Sequence, residues 1–422
     1  MNKIEKIVYD LVKSNPAIKN LIRNTYQSMF DLLPDKEDFF RKQTVVKEGF
    51  FFGFHDCSPF SQNEKYILAN KLLVDLHMPV ENEMLEVGYW NSNFSEFTVV
   101  DKTKAWNYHK GCRLQWLGET NDKFIFNDYE NEHYVSKIYS LLKKNIIVVD
   151  FPIDTISSNG KYATSFSYER LNRYMPGYGY LFSDEPFFEE NSSDKTGLYL
   201  CDIENNEKKL IVSLRELSEI IPNETMNGAH HFVTHTQFSP DGSRIAFLHR
   251  WTYGDNPDKR YSRLVTCKLD GSDIRVSCTT GMVSHFDWNH KHGILAYCQV
   301  DGQDGHYIFP DYKMESAKRV GASLNSDGHQ SYVTDTDYFV TDTYPDKRRR
   351  SKIYLVNIKT DEVELLVDVK SPKKFQSPDV YHHWACDLHP RISPDANWLC
   401  FDSSHTGSRA LCLMPLNMTK VD

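Results

Sequence analysis

From residue 45 onward, apolar and polar positions alternate in short runs broken by small turns, and one pattern recurs. An apolar residue is followed by a Ser-x-Asp/Asn-Gly turn and a second alternating apolar stretch. FSPDGSRIAFLHR (238–250) is the clearest copy, and ISPDANWLCFDSS (392–404) and ISSNGKYATSFSY (156–168) are close relatives. FSQNEKYILANKL (60–72) and YVTDTDYFVTDTY (332–344) keep the shape, and WNHKHGILAYCQ (288–299) and WLGETNDKFIFNDY (116–129) are the most divergent. Alternation with period two predicts half-buried strands, and Asp/Asn-Gly supplies the positive φ that a tight antiparallel hairpin requires. Third strands and reversing charged turns follow, as in RLVTCKLDGSDIRVSC (263–278) and KIYLVNIKTDEVELLVD (352–368). No such hairpin is stable alone, so repetition of the unit predicts closure into a ring.

The pattern therefore predicts an all-β chain, a seven-bladed β-propeller over residues 44–422 with a short N-terminal helical extension over 1–43. Six blades, with one unit misread, is the alternative. The last unit ends after ALCLMPLN (410–417), while TVVKEGFFF (44–52) has no partner of its own, so the 44–52 strand is expected to close the ring in the last blade. Within 3–33, Ile4, Ile7, Val8, Leu11 and Val12 follow helical spacing, and Pro16 interrupts it. This amphipathic extension is a candidate for docking on a partner or a membrane surface.

Length alone, 422 residues, would suggest two or three domains, but internal repeats override that expectation. With 40% hydrophobic and 13% aromatic residues there is ample material for a strand-rich core. A net charge of −9 argues against nucleic acid as a partner. Nine scattered cysteines without a CxxC pair suit reduced thiols. The N-terminus lacks the apolar run of a signal peptide, and no window approaches the roughly 20 apolar residues of a transmembrane segment. A cytoplasmic location is expected.

Aligning the units on their first apolar residue brings four histidines into one register three positions earlier: His235, His285, His329 and His389. They belong to the fourth to seventh units. The first three units carry Cys57, Arg113 and Ile153 there, with His55 and Asp56 just before Cys57. Because the first strand of a blade lines the channel, four imidazoles at one height are expected to converge on a divalent metal. Gln330 and His249 are possible further ligands, and a ring of polar residues binding only water is the plainer reading. Second strands end on the same face, which adds Arg250, Trp251, Asp342 and Tyr344 to the mouth. Three basic segments leave it, carrying Arg170 and Arg173, then Arg260 and Arg263, then Arg348. Positive charge gathered at one mouth of an anionic protein predicts an anionic ligand held by arginine, with aromatic side chains such as Trp251 as platforms for sugar rings.

HTQFSPDGSRIAFLHR, HFDW, GHQSY and DLHPRISPD resemble the blades of oligogalacturonate lyases and related polysaccharide lyases. The resemblance covers roughly residues 50–417 in architecture, with firm motif similarity in the last four units. It implies seven blades, a metal (manganese first, then zinc, iron or nickel) and β-elimination on uronate-containing oligosaccharides. By motif it places His235 or His249, His285, His329 and Gln330 at the site, with Arg250 near the reacting centre. The early segments KGCRLQWLGE (110–119) and PGYGYLFSDEPFF (176–188) depart from the family pattern.

The chain thus reads as a metal-dependent lyase acting on an anionic oligosaccharide or polysaccharide, with His249, Tyr344 or Arg250 as the group that removes the proton and Arg250 as the charge neutraliser. Arg170, Arg173, Trp251, Arg260, Arg263 and Arg348 are expected to bind substrate. Two rival readings are a non-catalytic propeller that binds an anionic glycan or scaffolds surface-polysaccharide assembly, and a metal-dependent glycan hydrolase or esterase. A serine peptidase is not expected, because no GxSxG elbow is present and no α/β half follows the propeller.

Overall fold

The computed structural model describes residues 34–182, 184–253, 256–379 and 381–418, without the side chains of 256–259. Seven antiparallel sheets follow one another along the chain and close into a seven-bladed propeller. The fourth blade shows the plan. Its inner strand His230–Phe238 pairs with Arg244–Tyr253, which pairs with Asn256–Lys268, and Arg275–Val276 is outermost. The Ser-Pro-Asp-Gly turn forms as its residues require. Ser239 Oγ donates to Asp241 Oδ1 at 2.6 Å, Gly242 N donates to Ser239 O at 2.8 Å, and Gly242 has φ +70°. The corresponding turn of the last blade puts Ala396 at φ +56°, where glycine would be unstrained.

Every blade is buried on both faces, and the period of two decides which neighbour each side chain meets. In Arg244–Tyr253, Ile245 and Phe247 pack into the apolar cluster shared with the third blade, while Ala246 and Leu248 enter the cluster shared with the fifth. Similar clusters join the second blade to the third, the fifth to the sixth and the sixth to the seventh. A further cluster runs from the seventh blade through the first to the second and completes the circuit. Burial of apolar area between blades, at about 25 cal/mol per Å², is thus what holds the ring.

Val45–Glu48 pairs with Ala410–Pro415 as the outer strand of the last blade. Phe50–Phe51 leaves that blade and pairs with Tyr66–Lys71 as the inner strand of the first. The segment 44–52 is therefore divided between the two blades that meet at the closure. The predicted helices of 3–33 lie outside the described residues. From Pro34 the chain is extended rather than helical, and Phe39–Phe40 adds a fifth strand to the sixth blade along Val363–Lys370. Arg350 anchors this strap by donating to Lys36 O and Glu37 O.

The third blade departs most from the repeat. Its inner strand shrinks to a single bridge, Ile156 to Ala163. A 31-residue excursion, 166–196, separates Tyr162–Ser165 from Gly197–Asp202. It opens with helix α1 (Tyr168–Tyr174), capped by Ser167, whose Oγ accepts from Arg170 N at 3.0 Å. The segment read as a basic loop is thus a buried helix. A second short helix, α2 (Leu214–Glu219), follows the same blade and carries a capping box between Ser213 and Glu216.

Candidate functional site

The histidine register survives as geometry through backbone distortion. His235 and His389 have φ of +53° and +44°, and Arg113, their counterpart in the second blade, has +56°. The inner strands of the fourth and fifth blades slip register beside His235 and His285. Bulges of this kind re-aim one side chain out of the sheet plane, here into the channel.

The four imidazoles do not meet at one point. They form an arc, with ring centroids 5.8 Å apart from His235 to His285, 4.1 Å from His285 to His329 and 4.2 Å from His329 to His389. Phe54 occupies the centre, its ring between 4.8 and 5.9 Å from all four. His55 joins the arc at 5.7 Å from His285 and 5.4 Å from His329. The remaining side of the channel is ionic. Buried Asp154 takes Lys110 Nζ at 2.8 Å, Thr236 Oγ1 at 2.7 Å and Thr236 N at 3.0 Å, and Arg113 grips Asp56 through both terminal nitrogens at 2.9 and 3.0 Å. Half the ring is thereby neutralised internally, and the histidine half is not.

Buried atoms without a hydrogen-bond partner mark that half: Nε2 of His55, His235, His329 and His389, Nδ1 of His285 and Oε1 of Gln330. Leaving such atoms unsatisfied costs about 1–3 kcal/mol each, so their concentration in one place points to a ligand. Burial holds His55, His235, His285 and His389 well below the usual histidine range, which keeps these rings neutral. Burial opposes charge on His329 as well, but Asp342 raises it, with both carboxylate oxygens within 3.0 Å of Nδ1. Asp342 also accepts the His329 N–H at 2.7 Å and the His389 N–H at 2.9 Å, fixing both ligand-bearing segments.

Arg250 faces the same mouth. It is 7% exposed, donates to Ser284 O at 2.9 Å, and has no carboxylate partner among the described residues. Burial and the neighbouring charge of Arg260 lower it to about 10. Tyr344, 39% exposed, stands 5.6 Å from the His329 ring and lines a cavity of about 280 Å³ with Arg349, Phe375, His383 and Asp387.

Other expected site residues are elsewhere. His249 is fully buried, with Nδ1 accepting from Arg263 Nε at 3.1 Å and Nε2 paired to His231 Nδ1 at 2.9 Å, so neither nitrogen is available to take a proton from substrate. The alternation explains this: His249 shares the face of Ile245 and Phe247, toward the third blade, whereas Arg250 shares that of Ala246 and Leu248. Trp251, on the His249 face, is 1% exposed and donates to Thr225 Oγ1, and so offers no platform to a sugar. Arg263 spends its terminal nitrogens on Leu217 O and Ile221 O at the end of α2, and Arg170 pairs with Glu185 and with the carbonyls of His231, Glu190 and Asn191. Both are structural. Arg173 donates to Phe188 O and Arg348 to Pro34 O, whereas Arg260 is exposed close to Arg250.

Three residues escaped the register because they precede the inner strands: His383 and Asp387 at the cavity wall, and His109 buried behind them. His109 stacks on Tyr178 at 4.5 Å, its Nε2 pairs with His383 Nδ1, and its Nδ1 lies 3.6 Å from Asp387 Oδ2. One atom each of His109, Asp387 and His389 lie within 4.8 Å of one another.

No protein-family profile and no curated protein matches the chain. Among solved structures it is similar to an oligogalacturonate lyase in complex with manganese (TM-score 0.63, 13% identity), covering 90% of this chain and 96% of that one. It is similar also to the oligogalacturonate lyase of Vibrio parahaemolyticus (TM-score 0.60, 15% identity), with the same coverage. The tricorn protease follows at a TM-score of 0.51 and 11% identity, where the match spans 91% of this chain but 34% of that one. What this chain shares with the oligogalacturonate lyases, over nine-tenths of its length, is therefore the seven-bladed propeller fold.

Proposed function

We propose that the protein is a metal-dependent lyase that cleaves a uronate-containing oligosaccharide or polysaccharide by β-elimination. One observation carries this reading: at a single mouth, buried atoms without hydrogen-bond partners stand beside Arg250, a buried cation with no ion-pair partner among the described residues. A divalent metal suits the chemistry of this donor set, because imidazoles and an amide oxygen are ligands such ions take. His235, His285, His329, His389 and Gln330 would hold it, with His55 in addition. Manganese, the ion named with the first structural relative, is the first choice, ahead of zinc, iron or nickel.

When bound, the metal supplies positive charge that stabilises the enolate-like form of the uronate carboxylate. Arg250 binds the same carboxylate through charge-assisted hydrogen bonds, and Arg260 adds to the field that draws an anion to the mouth. With His249 engaged at both nitrogens, Tyr344 would take the C5 proton as its phenolate, a form that burial disfavours and that the neighbouring Arg250 cation favours. The C5–H electron pair becomes the C4–C5 double bond, the C4–O bond breaks, and the departing oxygen takes a proton from water.

The test is a spectrophotometric assay of purified protein with added Mn²⁺ on acidic oligosaccharides and polysaccharides. Ultraviolet absorbance of the unsaturated uronate should rise with wild type and roughly 10–100-fold more slowly with Arg250→Ala. No rise on any acidic glycan would remove the lyase reading. Retained glycan binding in that case would leave a non-catalytic glycan-binding propeller, and reducing ends without absorbance would indicate a hydrolase.

A further inference from the structure

The geometry points to self-association: two copies of the chain pair edge to edge through Asn145–Val149, the outermost strand of the second blade. The inference goes beyond the lyase reading and does not depend on it. An outermost strand turns alternate backbone N–H and C=O groups to solvent, and proteins guard such edges with charged side chains, proline or short length. The other six blades show that guard. The outer strands of the first, third, fourth, fifth and seventh blades each carry at least one charged residue, and that of the sixth, Phe39–Phe40, is two residues long. Asn145–Val149 reads NIIVV and carries no charge. Its middle three side chains are exposed aliphatics, Ile146 at 37%, Ile147 at 54% and Val148 at 46%, and Leu142 at the preceding turn is 83% exposed.

The strand also fixes the register that a second copy takes. At one end the chain reverses at Lys144, whose N–H donates to Ser140 O at 2.8 Å. At the other, the Asp150 N–H is taken by Asn206 Oδ1 at 2.8 Å, so the open ladder ends at Val149. Full antiparallel overlap of two such strands puts a two-fold axis at Ile147. Ile146 then lies opposite Val148 of the second copy, and Ile147 opposite its own counterpart. The flanks match in charge, because Lys144 comes opposite Asp150 of the second copy on both sides of the axis. Lys144 is exposed, and the Asp150 side chain is 69% exposed, with His133 Nε2 on Oδ1 at 2.5 Å and Oδ2 left to the incoming lysine. This reciprocal match selects a second copy of the chain over a foreign strand.

Pairing joins two four-stranded blades into one continuous sheet, satisfies the edge backbone and packs the exposed aliphatic side chains against one another. The same patch serves both copies, so association closes at two. A five-residue ladder is smaller than the standard interface of roughly 1,200–2,000 Å², and the dimer therefore exchanges with monomer. Outer strands lie on the wall of the ring, farthest from the channel, so both mouths stay open in the dimer.

The experiment is sedimentation velocity of the full chain from about 1 µM to about 200 µM. Wild type is expected to pass from monomer toward dimer and no further. Ile147→Lys sets two lysines against each other at the axis and should weaken dimerisation at least about tenfold. Lys144→Glu and Asp150→Lys each bring like charges face to face and should each weaken it several-fold. An equimolar mixture of those two variants should associate as wild type does, because every reversed charge then meets its complement. All three positions are exposed, so thermal unfolding like that of wild type controls for folding. A wild type that stays monomeric, growth beyond two copies, a dimer indifferent to Ile147→Lys, or charge variants that fail to associate on mixing would each overturn the pairing. Because the readout is mass rather than turnover, failure of the lyase reading leaves this result intact.

Discussion

At the residue scale, the two halves of the channel make opposite predictions. Asp154 is buried among Lys110, Arg113, Thr236 and Tyr168, so Asp154→Ala strands buried Lys110 and leaves Arg113 with Asp56 alone. Removing one partner of a buried pair costs about 3–5 kcal/mol, and chemical denaturation should show a loss of that size. Arg250 has no such partner, so Arg250→Ala should leave stability nearly unchanged. Turnover is where its loss shows. kcat/KM should fall roughly 10–100-fold, the worth of a charge-assisted hydrogen bond of about 1.5–3 kcal/mol. Arg250 sits at about 10, so its charge is present below that pH and lost above it; KM for an anionic substrate should climb as pH passes about 10. A KM independent of pH across that range would show that Arg250 does not bind the carboxylate.

At the scale of elements, the closure is the vulnerable joint. Phe39–Phe40 adds an edge strand to a blade that already has four, whereas Val45–Glu48 completes a blade that has only three others. Truncation before residue 44 should therefore lower the melting temperature by several degrees, through loss of the edge strand and the Arg350 contacts. Truncation before residue 49 exposes the edge of Ala410–Pro415 and should abolish the single cooperative transition in calorimetry. Equal behaviour of the two truncations would contradict this account of ring closure. The bulged inner strands and the excursion of the third blade are the elements least readable beforehand. Nothing in ISSNGKYATSFSY announces that Ser167 caps a helix, because Tyr168 and Arg170 also satisfy the alternation of a strand until the tertiary environment buries them.

At the scale of the whole molecule, buried neutral histidines make the ring acid-sensitive. Burial pushes His231 and His306 down to about 4, and lowers His249 as well. The unfolded chain, with histidines near 6.5, binds more protons than the folded one below that pH. Their contribution is therefore fully present above about pH 6.5 and lost as pH falls from there toward 4, on the order of 3 kcal/mol for each group at full development. Melting temperature followed from pH 7 to pH 4 should fall steeply, and His306→Gln should flatten part of the slope. The same neutrality keeps the channel imidazoles available as ligands, so chelation should lower the melting temperature of metal-loaded protein in proportion to the logarithm of free metal.

The sequence by itself determined the repeat, the strand-turn-strand unit and the seven-bladed fold, because period-two alternation and the Ser-x-Asp/Asn-Gly turn are local properties. It also determined that four histidines share one register, since register is a count along the chain. Tertiary structure decided what that register means. Phe54 holds the centre, so the imidazoles form an arc rather than a point, and His55 enters it from a blade that lacks a histidine at the shared position. It also decided which arginines face the mouth, because neighbours along one strand point to opposite blades: His249 and Trp251 are enclosed, and Arg250 between them has no carboxylate partner among the described residues. His109, His383 and Asp387 belong to no repeat, and only the folding of distant loops onto one another brings them into contact.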